Sequence, residues 1–280
     1  MIDYVLEIAF DDPSLEDVVL SRLFLAPGRG STTSEEGSLA IISAWFDTPE
    51  DRAAAMELLG DLPVELRAVE RERRDWLELY EQSLEPIFAG RRFVVAPDAS
   101  LIPSDTARLP IVIPQEQAFG TGSHESTALC LELLESLDLR GRRGLDVGSG
   151  SGILAIAMLR LGAAKAVAFD NDADTFAALR LNRVRNAIAP ERMPVYIGGI
   201  DALRNGMFDV VTMNILPEVI VELFGRVRER MAAGATLLVS GIILPRREEV
   251  VAAARAHGLA TADERTRGEW WAARFVLLSG

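Results

Sequence analysis

From residue 143 onward, short continuous apolar runs alternate with longer segments in which apolar residues recur every three or four positions. Buried parallel strands read as unbroken apolar runs, and amphipathic helices read with a 3.6-residue period. The pattern predicts strands over residues 144–147, 166–169, 195–197, 208–213 and 236–240, and helices over 153–161, 173–186, 218–231 and 246–257. Two further strands, 259–264 and 270–278, flank a turn at Arg267-Gly268. Such alternation is the mark of an α/β protein with a doubly wound, mostly parallel sheet. Upstream, strands are expected at 92–96 and 109–113 and a helix at 126–137.

The first 69 residues follow another rhythm. Strands are expected at 4–10, 38–46 and 62–69, with a helix from Ser14 through Leu25 opened by a capping box of Ser14 and Asp17. A second helix, 49–59, carries Pro49 in its first turn, where its missing N–H costs nothing. Residues 27–37 read as a polar, glycine-rich loop with room for a short strand. The sum is a small α+β sandwich with a ferredoxin-like arrangement. Residues 70–83 are charged and helix-prone, with Trp76, Leu79 and Tyr80 as an apolar stripe. The chain is thus expected to divide into an N-terminal domain (1–69), a linker helix (70–83) and a larger domain (84–280).

Composition narrows the function classes. The 280 residues are 49% hydrophobic, ample for a core, and carry a net charge of −13. A generic phosphate-backbone binder would carry a basic face, so no direct nucleic-acid contact is expected. A basic protein partner is compatible with an acidic surface. The single cysteine, Cys130, excludes an internal disulfide and fits a reducing compartment. With only Cys130, His124 and His257 as soft ligands, no metal site is expected. Met1-Ile2-Asp3 lacks the basic and apolar regions of a signal peptide, and the longest uncharged stretch, 231–245, is too short and glycine-broken to span a bilayer. A cytoplasmic protein without membrane contact, and a monomer, is the expectation.

The candidate chemistry centres on Gly144-Leu145-Asp146-Val147-Gly148-Ser149-Gly150-Ser151-Gly152. Glycines at alternate positions allow a sharp turn and close approach of a ligand to the backbone. The spacing is G-x-G-x-G, unlike the G-x-G-x-x-G of dinucleotide folds, and no P-loop lysine follows. It looks like the first motif of S-adenosylmethionine-dependent methyltransferases. Asp170 closes the next strand, 22 residues after Gly148, where an acid can accept hydrogen bonds from both ribose hydroxyls. Asn214-Ile215-Leu216-Pro217 ends the fourth strand. Asp146, Gly148, Asp170 and Asn214 all fall at the carboxyl edge of the sheet, where such folds bind ligands. Upstream, 118–127 reads AFGTGSHEST, a glycine loop entering a helix. Its functional reading is a lid over the cofactor; its plainer reading is a capped helix entry, with His124 a loop histidine.

Taken together, AFGTGSHEST, the run GLDVGSGSGILAIAMLRLGAAKAVAFDND, then NILPEVI and SGIIL resemble the ribosomal protein L-eleven methyltransferases. The resemblance runs from about Trp76 to the C-terminus and includes Trp270. It implies a class I methyltransferase sheet (Rossmann-like), with the N-terminal domain recognising the substrate. It implies transfer from S-adenosyl-L-methionine to lysine side chains, and to the N-terminal amine, of a large-subunit ribosomal protein. Carried over residue by residue, Phe119 and Thr127 match lid positions, Gly148 and Gly150 the glycine loop, Asp170 the ribose acid and Asn214 the asparagine at the active-site mouth, which orients the amine or the cofactor. Asp146 belongs to the same cofactor-binding set. Ser123, Asn171 and Pro217 depart from the family pattern and bear on substrate identity. Two alternatives stay open: a methyltransferase of this fold acting on another protein or a small metabolite, and a non-catalytic ribosome-assembly factor.

Overall fold

The structure is a computed structural model that describes residues 2–37, 39–72, 85–114, 124–203 and 206–278. The chain divides into two compact units, Met1–Ser83 and Leu84–Gly280.

In the first unit, the strands β1 (Ile2–Phe10), β2 (Gly30–Glu36), β3 (Leu39–Phe46) and β4 (Glu65–Glu72) form one sheet in the order β2-β3-β1-β4. All its pairings are antiparallel. Helices α1 (Glu16–Leu23) and α2 (Pro49–Leu59) complete a βαββαβ order, that of a ferredoxin-like sandwich. Alternate residues of the strands, Leu6, Ile8 and Phe10 of β1 and Ile42, Ala44 and Phe46 of β3, pack against Val19, Leu23, Ala55 and Leu59 of the helices. Thr48 caps α2 by accepting from the Asp51 N–H, with Pro49 at the first position.

Several expectations are corrected here. Residues 30–36 form a full strand paired along β3, where a polar loop with room for a short strand was expected. The capping box expected at Ser14 and Asp17 does not form: Ser14 lies inside a 3-10 turn, Pro13–Leu15, which Asp12 caps by accepting from the Ser14 N–H, and α1 follows without a side-chain cap. Glu70–Glu72, expected to open a linker helix, continue β4 because Ile2, Asp3 and Tyr4 offer partners across the ladder. The remainder of that expected helix, with Trp76, Leu79 and Tyr80, lies outside the described residues.

In the second unit a small sheet, β5 (Ile87–Ala89), β6 (Phe93–Ala96) and β7 (Leu109–Val112), precedes α3 (Glu125–Glu135). Then come β8 (Arg143–Val147), α4 (Ile153–Arg160), β9 (Lys165–Asp170), α5 (Ala173–Arg185), β10 (Val195–Ile197) and β11 (Phe208–Asn214). The chain continues through α6 (Pro217–Arg228), β12 (Met231–Ile243), α7 (Arg247–Ala256), β13 (Leu259–Arg267) and β14 (Trp270–Leu277). The seven strands run β10-β9-β8-β11-β12-β14-β13. The first five are parallel, and β14 is antiparallel to both neighbours. This is the class I methyltransferase sheet. One face buries α3, α4 and α5 residues such as Leu129, Ile156 and Leu179 against Ala166, Ala168 and Val210. The other face buries Ile220, Phe224 and Val250 of α6 and α7 against Val147, Val211 and Phe275.

Strand order reverses between β8 and β11, so their carboxyl ends flank the crevice where open α/β sheets bind ligands. Lys165, the single lysine of the chain, opens β9 at the opposite end of the sheet from Asp170. They stand five residue steps apart along an extended strand, about 17 Å.

Candidate active site

The glycine loop leaves β8 and enters α4. Gly148, Gly150 and Gly152 have φ of +66°, +50° and +81°, the left-handed region that side chains disfavour. A Cβ at Gly148 would lie 2.4 Å from Cγ2 of Ile215, and one at Gly152 would lie 2.4 Å from Cδ1 of Leu179. The loop therefore packs its glycines directly against the turn after β11 and against α5. Its shape is locked further by Ser149 N–H donating to Phe169 O at 2.9 Å and Gly152 N–H to Ser149 O at 2.7 Å.

Asp170 ends β9 beside this loop. Its Oδ2 accepts from the Gly150 N–H at 2.9 Å and its Oδ1 from the Asp172 N–H at 3.1 Å. The carboxylate is thus fixed and half-buried, with acceptor capacity left on both oxygens. Asp172 caps α5 through the Asp174 N–H, as its position suggested. Past Asp170, Tyr196 of β10 stacks on Phe169 with centroids 5.0 Å apart.

Asp146 does something other than face a ligand. It is 1% exposed, and each oxygen accepts a hydrogen bond from within the protein, at a depth that solvent does not reach. Oδ1 accepts from the Thr212 hydroxyl at 2.7 Å, and Oδ2 accepts from the Ala155 N–H at 3.1 Å in the first turn of α4. It joins β8, β11 and the helix start, and so holds the glycine loop from beneath. The corrected role is support; nothing in a motif distinguishes an acid that points down from one that points out.

Burial pushes the Asp146 carboxyl up to about 7, against the pull of its two hydrogen bonds. An unfolded Asp146 ionises near pH 4, whereas the folded one resists ionisation until about pH 7. Its contribution therefore makes the fold lose stability as pH rises from about 4 to about 7, then levels off. The share is at most about 4 kcal/mol. Denaturant unfolding of the wild type and Asp146→Asn at pH 5 and pH 8 should show a smaller loss for the variant. Equal losses would refute the raised value.

Asn214 ends β11. Its Nδ2 donates to Oγ1 of Thr127 at 3.2 Å, and Thr127 is fully buried in the first turn of α3. Its Oδ1 is buried with no hydrogen-bond partner among the described residues, as is Oγ of Ser149 in the glycine loop. A buried polar atom left unpaired costs about 1–3 kcal/mol, so these two atoms are candidates for a ligand's polar groups. Gly241 stands behind the asparagine with φ +81°. A Cβ there would meet Ile215 O at 2.6 Å and Asn214 Oδ1 at 3.2 Å. The Ser240 hydroxyl donates to Ser126 O at 3.0 Å, tying β12 to α3.

His124 is the N-cap of α3. Its Nδ1 accepts from the Ser126 N–H at 3.3 Å and lies 2.8 Å from the Ser126 hydroxyl; its ring packs edge-on against Trp270 at 4.6 Å. That is a capping and packing role. His124→Ala should therefore keep at least a tenth of turnover, since loss of a general base typically costs 10²–10⁴-fold. A larger loss in steady-state assays of a folded, cofactor-competent variant would make it catalytic. Phe119 and the rest of the expected lid, 115–123, lie outside the described residues.

The parts brought together are the glycine loop, Asp170, Thr127 and Asn214, with Ser149, Thr212 and Gly241 as residues that motif reading passed over. Ser149 sits between the motif glycines, and Thr212 two residues before Asn214 on the same strand face; a hydroxyl within an otherwise apolar central strand was the available signal. For S-adenosylmethionine the donor set fits: a turn that only glycine backbones allow, a fixed acid at the end of β9, and two orphaned polar atoms at the same sheet edge.

Comparison with known proteins agrees with this geometry. The family model described as Ribosomal protein L11 methyltransferase (PrmA) matches residues 16–277. A ribosomal protein L11 methyltransferase of Pseudomonas aeruginosa is 39% identical over 219 residues, covering 76% of this chain and 73% of the relative. One from Geobacter sulfurreducens is 34% identical over 280 residues, covering 96% and 90%. A crystal structure of ribosomal protein L11 methylase from Lactobacillus delbrueckii subsp. bulgaricus, 24% identical, superposes with a TM-score of 0.65 over 70% of this chain and 100% of that one, which bears out the fold. On its fold, its motifs and a family match over nearly its whole length, the chain belongs to the ribosomal protein L11 methyltransferase family.

Proposed function

We propose that the protein is an S-adenosylmethionine-dependent N-methyltransferase acting on lysine side chains, and on the N-terminal amine, of large-subunit ribosomal protein L11. The carrying observation is the Oδ1 of Asn214, buried and without a partner among the described residues, at the sheet edge that also carries the glycine loop and Asp170, within a chain of this family. S-adenosylmethionine, when bound, supplies a methyl group made electrophilic by its sulfonium. Gly148 and Gly150 present the loop backbone to it, Asp170 accepts from its ribose hydroxyls, and Thr127 borders it from the start of α3. Asn214 offers an acceptor oxygen that orients the incoming amine. The protein's main contribution is to hold the two reactants in line in a site that excludes water. Residues 1–69 serve as the module that recognises the ribosomal protein. The protein works in the cytoplasm as a monomer.

An acceptor amine must be neutral to offer its lone pair. A lysine amine has a reference pKa of about 10.4, so roughly one in 2,500 is neutral at pH 7. Among the described residues the only carboxyl held near pH 7 is Asp146, and it is spent on Thr212 and Ala155. Deprotonation then falls to solvent. Initial rates at subsaturating substrate should climb about tenfold per pH unit between pH 7 and 9; a flat profile would point to a dedicated base or to an oxygen acceptor. The direct test is transfer of labelled methyl to purified ribosomal proteins, with mass-spectrometric mapping of the modified sites. Label on amines of L11 is the expected result, and label confined to small metabolites, or absent, overturns it.

A further inference from the structure

Two N–H groups of the glycine loop are held from the end of β9. Ser149 donates to Phe169 O and Gly150 to Asp170 Oδ2, each at 2.9 Å. A further hold comes from α5, from a residue outside every motif named above. Nδ2 of Asn182 donates to Ser151 O at 3.0 Å, across 31 residues of sequence. Both partners are buried, Asn182 at 3% and Ser151 at 1% exposure. The N–H of the same peptide group, that of Gly152, donates to Ser149 O at 2.7 Å. The peptide joining Ser151 to Gly152 is therefore gripped at its oxygen by α5 and at its hydrogen by the loop itself.

That peptide needs holding. Gly152 has φ +81°, and glycine accepts either sign of φ, so its own backbone does not forbid the peptide from turning over. A donor mounted on a helix does. The amide of Asn182 is itself oriented: its Oδ1 accepts from Nη1 of Arg185 at 3.3 Å, which leaves the donor facing the loop. Leu179, one turn earlier on α5, packs under Gly152. The end of α5 is anchored in turn. Asn186 accepts from the Val112 N–H at 2.9 Å and donates to Val112 O at 2.8 Å, fastening the helix to β7, and its Nδ2 also reaches Asn182 O at 2.8 Å.

We infer that Asn182 is a positioning residue for the cofactor: by holding Ser151 O it keeps the glycine loop in its binding shape before S-adenosylmethionine arrives. The inference rests on the reading of that loop as the cofactor's cradle and adds to it a residue that sets the cradle from behind. Asn182 lies beneath the loop and acts through the Ser151 carbonyl. A loop set in advance binds its ligand more tightly than one the ligand must set. Loss of Asn182 is therefore felt in cofactor affinity and in the opening of the loop, while transfer from the bound cofactor proceeds. Asn186 fastens the same helix without touching the loop, so its loss is felt in stability alone.

The test uses the full chain. Asn182→Leu keeps the bulk of the side chain and removes the donor; Asn182→Ala is the second variant, for the case that leucine does not fit. Asn186→Ala is the control, since it cuts the ties to Val112 and leaves Nδ2 of Asn182 on Ser151 O. Thermal melts fix a temperature at which all three are folded, and all three should melt below the wild type. Titration calorimetry there should show S-adenosylmethionine bound about tenfold more weakly by both Asn182 variants, and within about twofold of wild type by Asn186→Ala. Hydrogen exchange of the Gly152 N–H in the cofactor-free protein, read by NMR, should be about tenfold faster in the Asn182 variants and unchanged in the control. In kinetics KM for the cofactor should rise while kcat stays within about twofold. Wild-type affinity in the folded Asn182 variants overturns the positioning role and leaves the loop as the cofactor site. An equal loss of affinity in Asn186→Ala also overturns it, since the effect is then one of helix packing at large. A wild type that binds no S-adenosylmethionine, with Gly152 exchange still released by the Asn182 variants, overturns the cofactor reading and leaves the hold on the loop standing.

Discussion

Asp170→Ala should weaken S-adenosylmethionine binding by a hundredfold or more. Two losses combine in this one substitution. The ribose hydroxyls lose a charged acceptor, and a hydrogen bond to a charged group contributes about 1.5–3 kcal/mol, roughly tenfold to a hundredfold. The Gly150 and Asp172 N–H groups lose theirs as well, so the glycine loop and the start of α5 each lose one tie to the end of β9. A loop that must be ordered by the ligand binds it more weakly than one already set. Asp170→Asn separates the parts. Its amide keeps one carbonyl acceptor for the loop or the ribose but not for both, so its affinity should fall between the two. Titration calorimetry on the folded proteins reads this directly. Unchanged affinity in the alanine variant would remove Asp170 from the cofactor site.

Asn214→Ala should lower kcat by about 10²–10³-fold while the affinity for S-adenosylmethionine moves less than tenfold. The amide is anchored on one side only: Nδ2 donates to Thr127, and Oδ1 is buried without a partner among the described residues. Removing a group that orients a reactant costs most where bond making demands alignment, hence kcat more than binding. The neighbours fix which variants are informative. Thr127→Val should reproduce part of the loss by freeing the amide to rotate. Single-turnover rates with cofactor and ribosomal protein both saturating provide the measurement. A full-speed alanine variant would refute the orienting role.

Much of the larger unit was legible because its physics is local. Strands buried on both faces, such as β11 with Val210, Val211 and Met213, are mostly apolar, and the glycine loop is a turn only glycine accommodates. The edge of the sheet that binds ligands followed from strand order alone. The failures have equally definite causes. Strand β2 reads Gly-Ser-Thr-Thr-Ser-Glu-Glu, polar on both faces as an outer strand can be, so only its pairing with β3 reveals it. Strand β12 runs from Met231 to Ile243, well beyond the expected 236–240, because Met231 pairs with Phe208 of β11 and Ile242 and Ile243 pair with Trp271 and Trp270 of β14. Asp146 carries a motif signature whose direction depends on Thr212, 66 residues away. The orphaned Oδ1 of Asn214 is likewise a property of three elements meeting, and no local pattern encodes it.

The solitary Lys165 has a consequence for how the protein coexists with its own chemistry. Of the 29 basic side chains 28 are arginines, whose guanidinium stays charged at any physiological pH and offers no free lone pair. The one lysine sits at the far end of β9 from the glycine loop and Asp170. An enzyme that alkylates amines is here almost bare of them. It can stand charged with its donor, at high concentration and among its own copies, without becoming a competitor of its client or a sink for the methyl groups it handles.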